Sequence, residues 1–176
     1  MSYGVAPVDG RVGYVTTKDT VVRVSFAFKS TLDAAIGGEG HSLCFQCGAC
    51  VGDCPAAQYS ERFNPRRIML DTILGLADRL IAVDSVVWEC TNCCNCFEHC
   101  PQDVRPVEVI MALKNLIHER GLAPEVVQSI VTAVEQSGRT VIITDLVGKR
   151  RRELGLPELT APPVEELQKL LARNSK

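Results

Sequence analysis

Near the N-terminus apolar residues fall on every second position. Val22, Val24, Phe26 and Phe28 alternate with Arg23, Ser25, Ala27 and Lys29, the period of a strand buried on one face. Val12 to Val15 offers a partner strand, and Thr16, Thr17, Lys18 and Asp19 offer the turn between them. Residues 11–29 therefore predict a β-hairpin. A lone hairpin is marginal in water, so this one is expected to lean on the rest of the chain or on a partner subunit. Gly37, Gly38 and Gly40 predict a flexible link into the next region.

Further along, the period becomes helical. Asn64 is a good N-cap and Pro65 suits the first helical position. Met69, Ile73, Leu76 and Leu80 then recur at helical spacing, joined by Leu70, Leu74 and Ile81, with Gly75 inside the run as a mark of close approach. Pro106 opens another helix, whose apolar face is Val109, Ile110, Leu113, Leu116 and Ile117 and which Gly121 ends. A further helix is expected from Pro124 to about Gln136, a short strand within Thr140 to Val147, and a terminal helix over 163–173. The pattern predicts a mainly α protein with a β-hairpin arm at residues 1–40, a central domain at 41–121 and a helical extension at 122–176.

Composition adds limits. Aromatic residues are 5% of the chain, so aliphatic helices must supply most of the core. The net charge of -2 does not point to nucleic acid. No run of about 18 apolar residues predicts a membrane span. Met1 to Gly10 lacks a basic region followed by an apolar one, so no secretory signal is expected.

The chain contains nine cysteines, and eight of them form a repeat. Cys44, Cys47, Cys50, Cys54 and Pro55 match Cys90, Cys93, Cys96, Cys100 and Pro101 at a constant offset of 46 residues. Each run reads Cys-x2-Cys-x2-Cys-x3-Cys-Pro, the bacterial ferredoxin spacing for [4Fe–4S] clusters. Three closely spaced thiolates can wrap three corners of a cubane, while the fourth follows a turn of chain and points toward the other cluster. One cluster is then expected on Cys44, Cys47, Cys50 and Cys100, and a second on Cys90, Cys93, Cys96 and Cys54. Zinc usually takes two Cys-x2-Cys pairs or mixes cysteine with histidine, a poor match. A disulfide-stapled domain would be shorter and secreted. Small or polar neighbours such as Gly48, Ala49, Gly52, Thr91 and Asn92 leave backbone N–H groups free to donate to cluster sulfurs.

Other residues carry two readings each. Cys94 could be an alternate ligand or redox thiol, but is expected to be a small buried residue beside the cluster. His99, next to Cys100, could tune a cluster or carry protons, or simply be a packed or exposed histidine. His41 and His118 are read as ordinary histidines. Lys149, Arg150, Arg151 and Arg152 form a basic run that could dock an acidic partner or only be solvated. Trp88 is expected to pack the domain. No dinucleotide fingerprint, phosphate loop or catalytic triad is visible, and no Cys-Cys-Gly repeat. The chain can hold electrons but shows no place for a substrate, so no catalytic residue is assigned.

These residues resemble the small C-type subunit of heterodisulfide reductase. The features that carry the likeness are Cys44-Phe-Gln-Cys-Gly-Ala-Cys50 with Cys54-Pro55, and Cys90-Thr-Asn-Cys-Cys-Asn-Cys96 with Cys100-Pro101. Asn64-Pro65-Arg66-Arg67-Ile68 and the helix after Pro106 also fit. The motif alone is shared with the helical ferredoxin domains of succinate dehydrogenase and fumarate reductase iron–sulfur subunits, anaerobic glycerol-3-phosphate dehydrogenase and glycolate oxidase. Those chains usually add domains that this one lacks. The resemblance implies a cytoplasmic, non-catalytic electron-transfer subunit. It would link two other heterodisulfide reductase subunits. One is the A-type, with FAD and iron–sulfur clusters; the other is the B-type, which reduces the disulfide of coenzyme M and coenzyme B in methanogenesis. A hydrogenase or formate dehydrogenase would be the more distant donor. The alternatives are an iron–sulfur subunit of another respiratory or dehydrogenase complex, or a free carrier ferredoxin.

Overall fold

The computed structural model describes residues 12–16, 21–141 and 143–174. Two short strands, β1 (Val12–Thr16) and β2 (Val21–Ser25), pair antiparallel, with Val12 opposite Ser25 and Thr16 opposite Val21. Most of the turn expected between them lies outside the described residues. The second strand is shorter than the alternation predicts: Phe26 to Lys29 belong to helix α1 (Phe26–Ala34). The reason is local. The Ser25 hydroxyl accepts the Phe28 N–H at 3.2 Å, an N-cap that starts a helix. Phe28 and Leu32, one helical turn apart, are both fully buried. The strand leans on its own chain: Ser25 N–H donates to Gly75 O at 2.8 Å, and Arg23 pairs with Asp78 at 2.8 Å.

The glycine segment after α1 is a run of turns that leads into a short 3-10 helix at His41–Leu43. The first cysteine run then builds α2 (Ala49–Gly52) and α3 (Pro55–Tyr59). Helix α4 (Pro65–Ile73) starts as predicted, with Asn64 Oδ1 accepting the Arg67 N–H at 3.0 Å. The single long helix expected beyond it is two helices, α4 and α5 (Ala77–Leu80). Gly75, at φ +71°, ends α4. Leu76 N–H reaches back to Asp71 O, and Gly75 N–H to Thr72 O, the Schellman stop. A Cβ on Gly75 would lie 2.6 Å from Ser25 O, so β2 itself occupies the space a side chain would need.

A 3-10 turn at Val86–Glu89 precedes the second cysteine run, which carries α6 (Asn95–Glu98). Helix α7 (Pro106–Glu119) follows and ends at Gly121 as its sequence predicts. Val109, Ile110, Leu113 and Ile117 are buried completely against Phe28, Leu32, Met69 and Leu80. Each such side chain contributes about 1.5–3 kcal/mol of transfer free energy. Trp88 packs against this core.

Residues 1–123 form one compact unit and residues 124–176 a second. The second contains α8 (Glu125–Ser137), α9 (Asp145–Glu153) and α10 (Val164–Asn174). The strand expected within Thr140 to Val147 is not formed among the described residues. Thr144 caps α9 instead and Asp145 to Val147 are its first turn. The basic run Lys149–Arg152 falls near the C-terminal end of α9, where the helix dipole favours cations. Within this unit Gln168 holds Glu135 O at 3.2 Å, and no described side chain reaches full burial.

Candidate iron–sulfur centre

The two cysteine runs fold alike. In each, the second residue after the first cysteine has a left-handed backbone, Gln46 at φ 58° and Asn92 at φ 53°. So does the N-cap of the short helix that follows, Gly48 at φ 88° and Cys94 at φ 64°. The left-handed turns roll the chain so that three thiols face one hollow.

There are two such hollows. Cys44, Cys47, Cys50 and Cys100 line the first, with Phe45, Gln46, Arg66 and Pro106 around them. Cys90, Cys93, Cys96 and Cys54 line the second, together with Cys94, Phe63, Pro65, Val107 and Ile110. Their volumes are about 340 and 310 Å³, open mouths included, some ten times a water's share of liquid volume. Each can therefore hold a polyatomic group. No histidine or carboxylate lines either hollow. Among the described residues, no three His, Cys, Asp or Glu side chains are grouped to hold a single ion. Four thiols around a hollow are a donor set that fits an iron–sulfur cluster.

Burial makes these thiols hard to ionise alone. Desolvation, then the neighbouring Cys44, pushes Cys50 up to about 11. Desolvation, then Cys90, pushes Cys96 up to about 12. Cys90 is raised chiefly by burial, against the Asn92 N–H and the Lys114 charge. A bound iron centre reverses this balance, since a coordinating thiol is deprotonated. Backbone donors already point at the sulfurs: Gln46 N–H to Cys44 Sγ at 3.4 Å, and Val104 N–H to Cys100 Sγ at 3.3 Å.

The halves differ in their charged neighbours. Lys114, on α7, is half-buried against the second cysteine run. Its Nζ donates to Cys90 O at 3.1 Å and Asn92 Oδ1 at 3.2 Å, and lies 5.8 Å from the Trp88 ring centroid. Burial depresses its pKa. The residue reading missed Lys114, because nothing in its helical spacing marks it as facing the cysteines. Cys94 is exposed and not buried as expected. It occupies the place of Gly48 in the repeat and lines the second hollow. His99 meets Asp53 at 3.3 Å, both exposed; these are equivalent positions of the two runs. His41, read as ordinary, is fully buried with Nδ1 3.1 Å from Gly38 O and 3.0 Å from Asp33.

Fold and site together define a helical iron–sulfur protein for electron transfer. A family model described as a 4Fe-4S dicluster domain matches residues 40–104. The C-type iron–sulfur subunit of CoB–CoM heterodisulfide reductase from Methanopyrus kandleri is 34% identical, over 74% of this chain and 70% of that protein. The C-type subunit of H2:CoB–CoM heterodisulfide,ferredoxin reductase from Methanothermobacter thermautotrophicus is 33% identical, over 78% and 76%. A protein from Archaeoglobus profundus, named for its likeness to the C-type heterodisulfide reductase subunit, is 34% identical, over 77% and 74%. The chain belongs to the family of C-type heterodisulfide reductase subunits. Among the described residues no helix is long and apolar enough to cross a membrane.

Proposed function

We propose that this chain carries electrons between two partner subunits of a CoB–CoM heterodisulfide reductase. It would accept them from the A-type subunit, which holds FAD and iron–sulfur clusters. It would deliver them to the disulfide-reducing B-type subunit. The observation that carries the reading is the grouping of the repeat cysteines around two hollows, each drawing three of its repeat thiols from one run and the fourth from the other, with Cys94 as an additional thiol at the second. On this reading one [4Fe–4S] cluster would be held by Cys44, Cys47, Cys50 and Cys100 and one by Cys90, Cys93, Cys96 and Cys54, and the grouping supports it. When bound, the clusters supply one-electron redox chemistry.

The chain's own residues do the rest. Because each hollow needs both runs, holding the clusters ties the halves together and keeps the two sites close. The Gln46 and Val104 N–H groups stabilise charge on sulfur, and the aliphatic face of α7 keeps water from the second hollow through Val107 and Ile110. A cytoplasmic setting belongs to the same proposal, since the cluster thiolates need reducing surroundings. A hydrogenase or formate dehydrogenase is the natural upstream donor to such a complex.

The test is disulfide reduction with purified subunits. The disulfide-reducing subunit, fed by an artificial donor, should turn over without this chain. Physiological donors should require it. Reduction of the coenzyme M–coenzyme B disulfide by this chain alone would refute the relay.

A further inference from the structure

The two halves of the repeat match in backbone but not in rim. At the first hollow Phe45 is 72% exposed, and Leu43, next to the ligand candidate Cys44 in the chain, is 62% exposed. The positions 46 residues on are the polar Glu89 and Thr91, so this exposed apolar pair is not repeated in the second run. Beside the first hollow, and sharing Gln46 and Arg66 with it, lies an open cleft of about 1120 Å³, solvent at its mouth included. Four arginines line this cleft, Arg62, Arg66, Arg67 and Arg79, against two carboxylates, Glu61 and Asp71. Asp71 is already shared by Arg67 at 3.6 Å and Arg79 at 3.5 Å. Arg62 is 67% exposed at its side chain, 3.8 Å from Glu89. Arg66 makes no hydrogen bond or ion pair among the described residues.

The cleft is too wide and shallow to bury a small ligand, which needs 70–90% enclosure. An exposed apolar contact beside a cleft in which arginines outnumber carboxylates is instead the layout of a charge-steered protein interface, where electrostatics set encounter rate and orientation. We propose that this face docks an acidic surface of the protein that exchanges electrons through the first hollow, with Leu43 and Phe45 making the apolar contact and the arginines orienting it. This deepens the relay reading, since it gives one of the two partners a place and a charge.

The test uses the full chain with both clusters installed under anoxia and reduced, then mixed with one of two probes. Ferricyanide, an anion, takes one electron and becomes ferrocyanide. Hexaamminecobalt(III), a cation, takes one electron and becomes cobalt(II). Rates are taken per reduced cluster, with iron content and midpoint potentials measured alongside. In the Arg62→Glu, Arg66→Glu variant at low salt, the ferricyanide rate should fall several-fold and the cobalt rate should rise. Both differences should vanish at high salt, where charges more than about 3 Å apart are screened. Arg66→Lys, which keeps the charge, should behave as the unaltered chain. In a second arm, the double variant should bind one of the two partner subunits at least tenfold more weakly and the other unchanged. Unaltered rates with both probes, or unaltered affinity for both subunits, overturns the docking face. Failure of the unaltered chain to bind either of them overturns instead the relay reading on which the choice of partner rests.

Discussion

Gly48 and Cys94 occupy equivalent places, both left-handed, both opening a short helix. Glycine takes that conformation freely, whereas a residue with a Cβ pays roughly 1–2 kcal/mol. Cys94→Gly should therefore keep full iron content and raise the melting temperature slightly; loss of one cluster's signal would make Cys94 a ligand. Lys114 has no counterpart at the first hollow, where the nearby cation, Arg66, is exposed. A half-buried positive charge stabilises added negative charge more than a solvated one does. Lys114→Met should move the midpoint potential of the second-hollow cluster to a more negative value, and Lys114→Arg should largely restore it. Equal shifts at both clusters, read by redox titration with electron paramagnetic resonance, would contradict this. Spacing alone singles out the eight repeat cysteines as candidate ligands, and the left-handed turns between them need only Gly, Asn or a tolerant residue at fixed offsets. Lys114 and the buried His41 were not, because their roles depend on which helix face meets the cysteines.

At the scale of elements, the sequence reading erred where two signals overlapped. Val22 to Phe28 alternates like a strand, yet Phe28 and Leu32 also stand four apart, and the Ser25 cap decides for the helix. Ser25→Ala should cost about 1 kcal/mol, read as a lower unfolding midpoint. Its burial at 4% exposure makes the loss larger than for a surface cap. The apolar run from Met69 to Ile81 looks continuous, but Gly75 stops α4 against β2. Gly75→Val would place a branched side chain on Ser25 O and in a left-handed backbone, and should destabilise the chain by several kcal/mol. Near-neutral behaviour there would show that β2 does not pack as described. Helix α7, by contrast, was legible in full, because proline, apolar face and terminal glycine all agree.

For the molecule as a whole, the cysteine-rich unit and the 124–176 unit differ in kind. The first has a closed aliphatic core around which both hollows are built. The second has amphipathic helices whose described side chains stay at least partly exposed. Its helices α8 and α10 were legible, each following a proline, whereas α9 was hidden because the apolar residues around Thr144 read as a short strand. What the family membership adds is the kind of complex in which such a two-site carrier works. The central claim is that each cluster draws its fourth thiolate from the other cysteine run. The direct measurement is the iron and sulfide content, with cluster-resolved paramagnetic resonance, of the unaltered chain and of Cys54→Ser and Cys100→Ser prepared under anoxia. The unaltered chain should contain about eight iron and about eight sulfide. Cys54→Ser should perturb the cluster that Cys90→Ser perturbs, and Cys100→Ser the one that Cys44→Ser perturbs. Pairing of Cys54→Ser with Cys44→Ser would show that each run closes on its own cluster and would contradict the account.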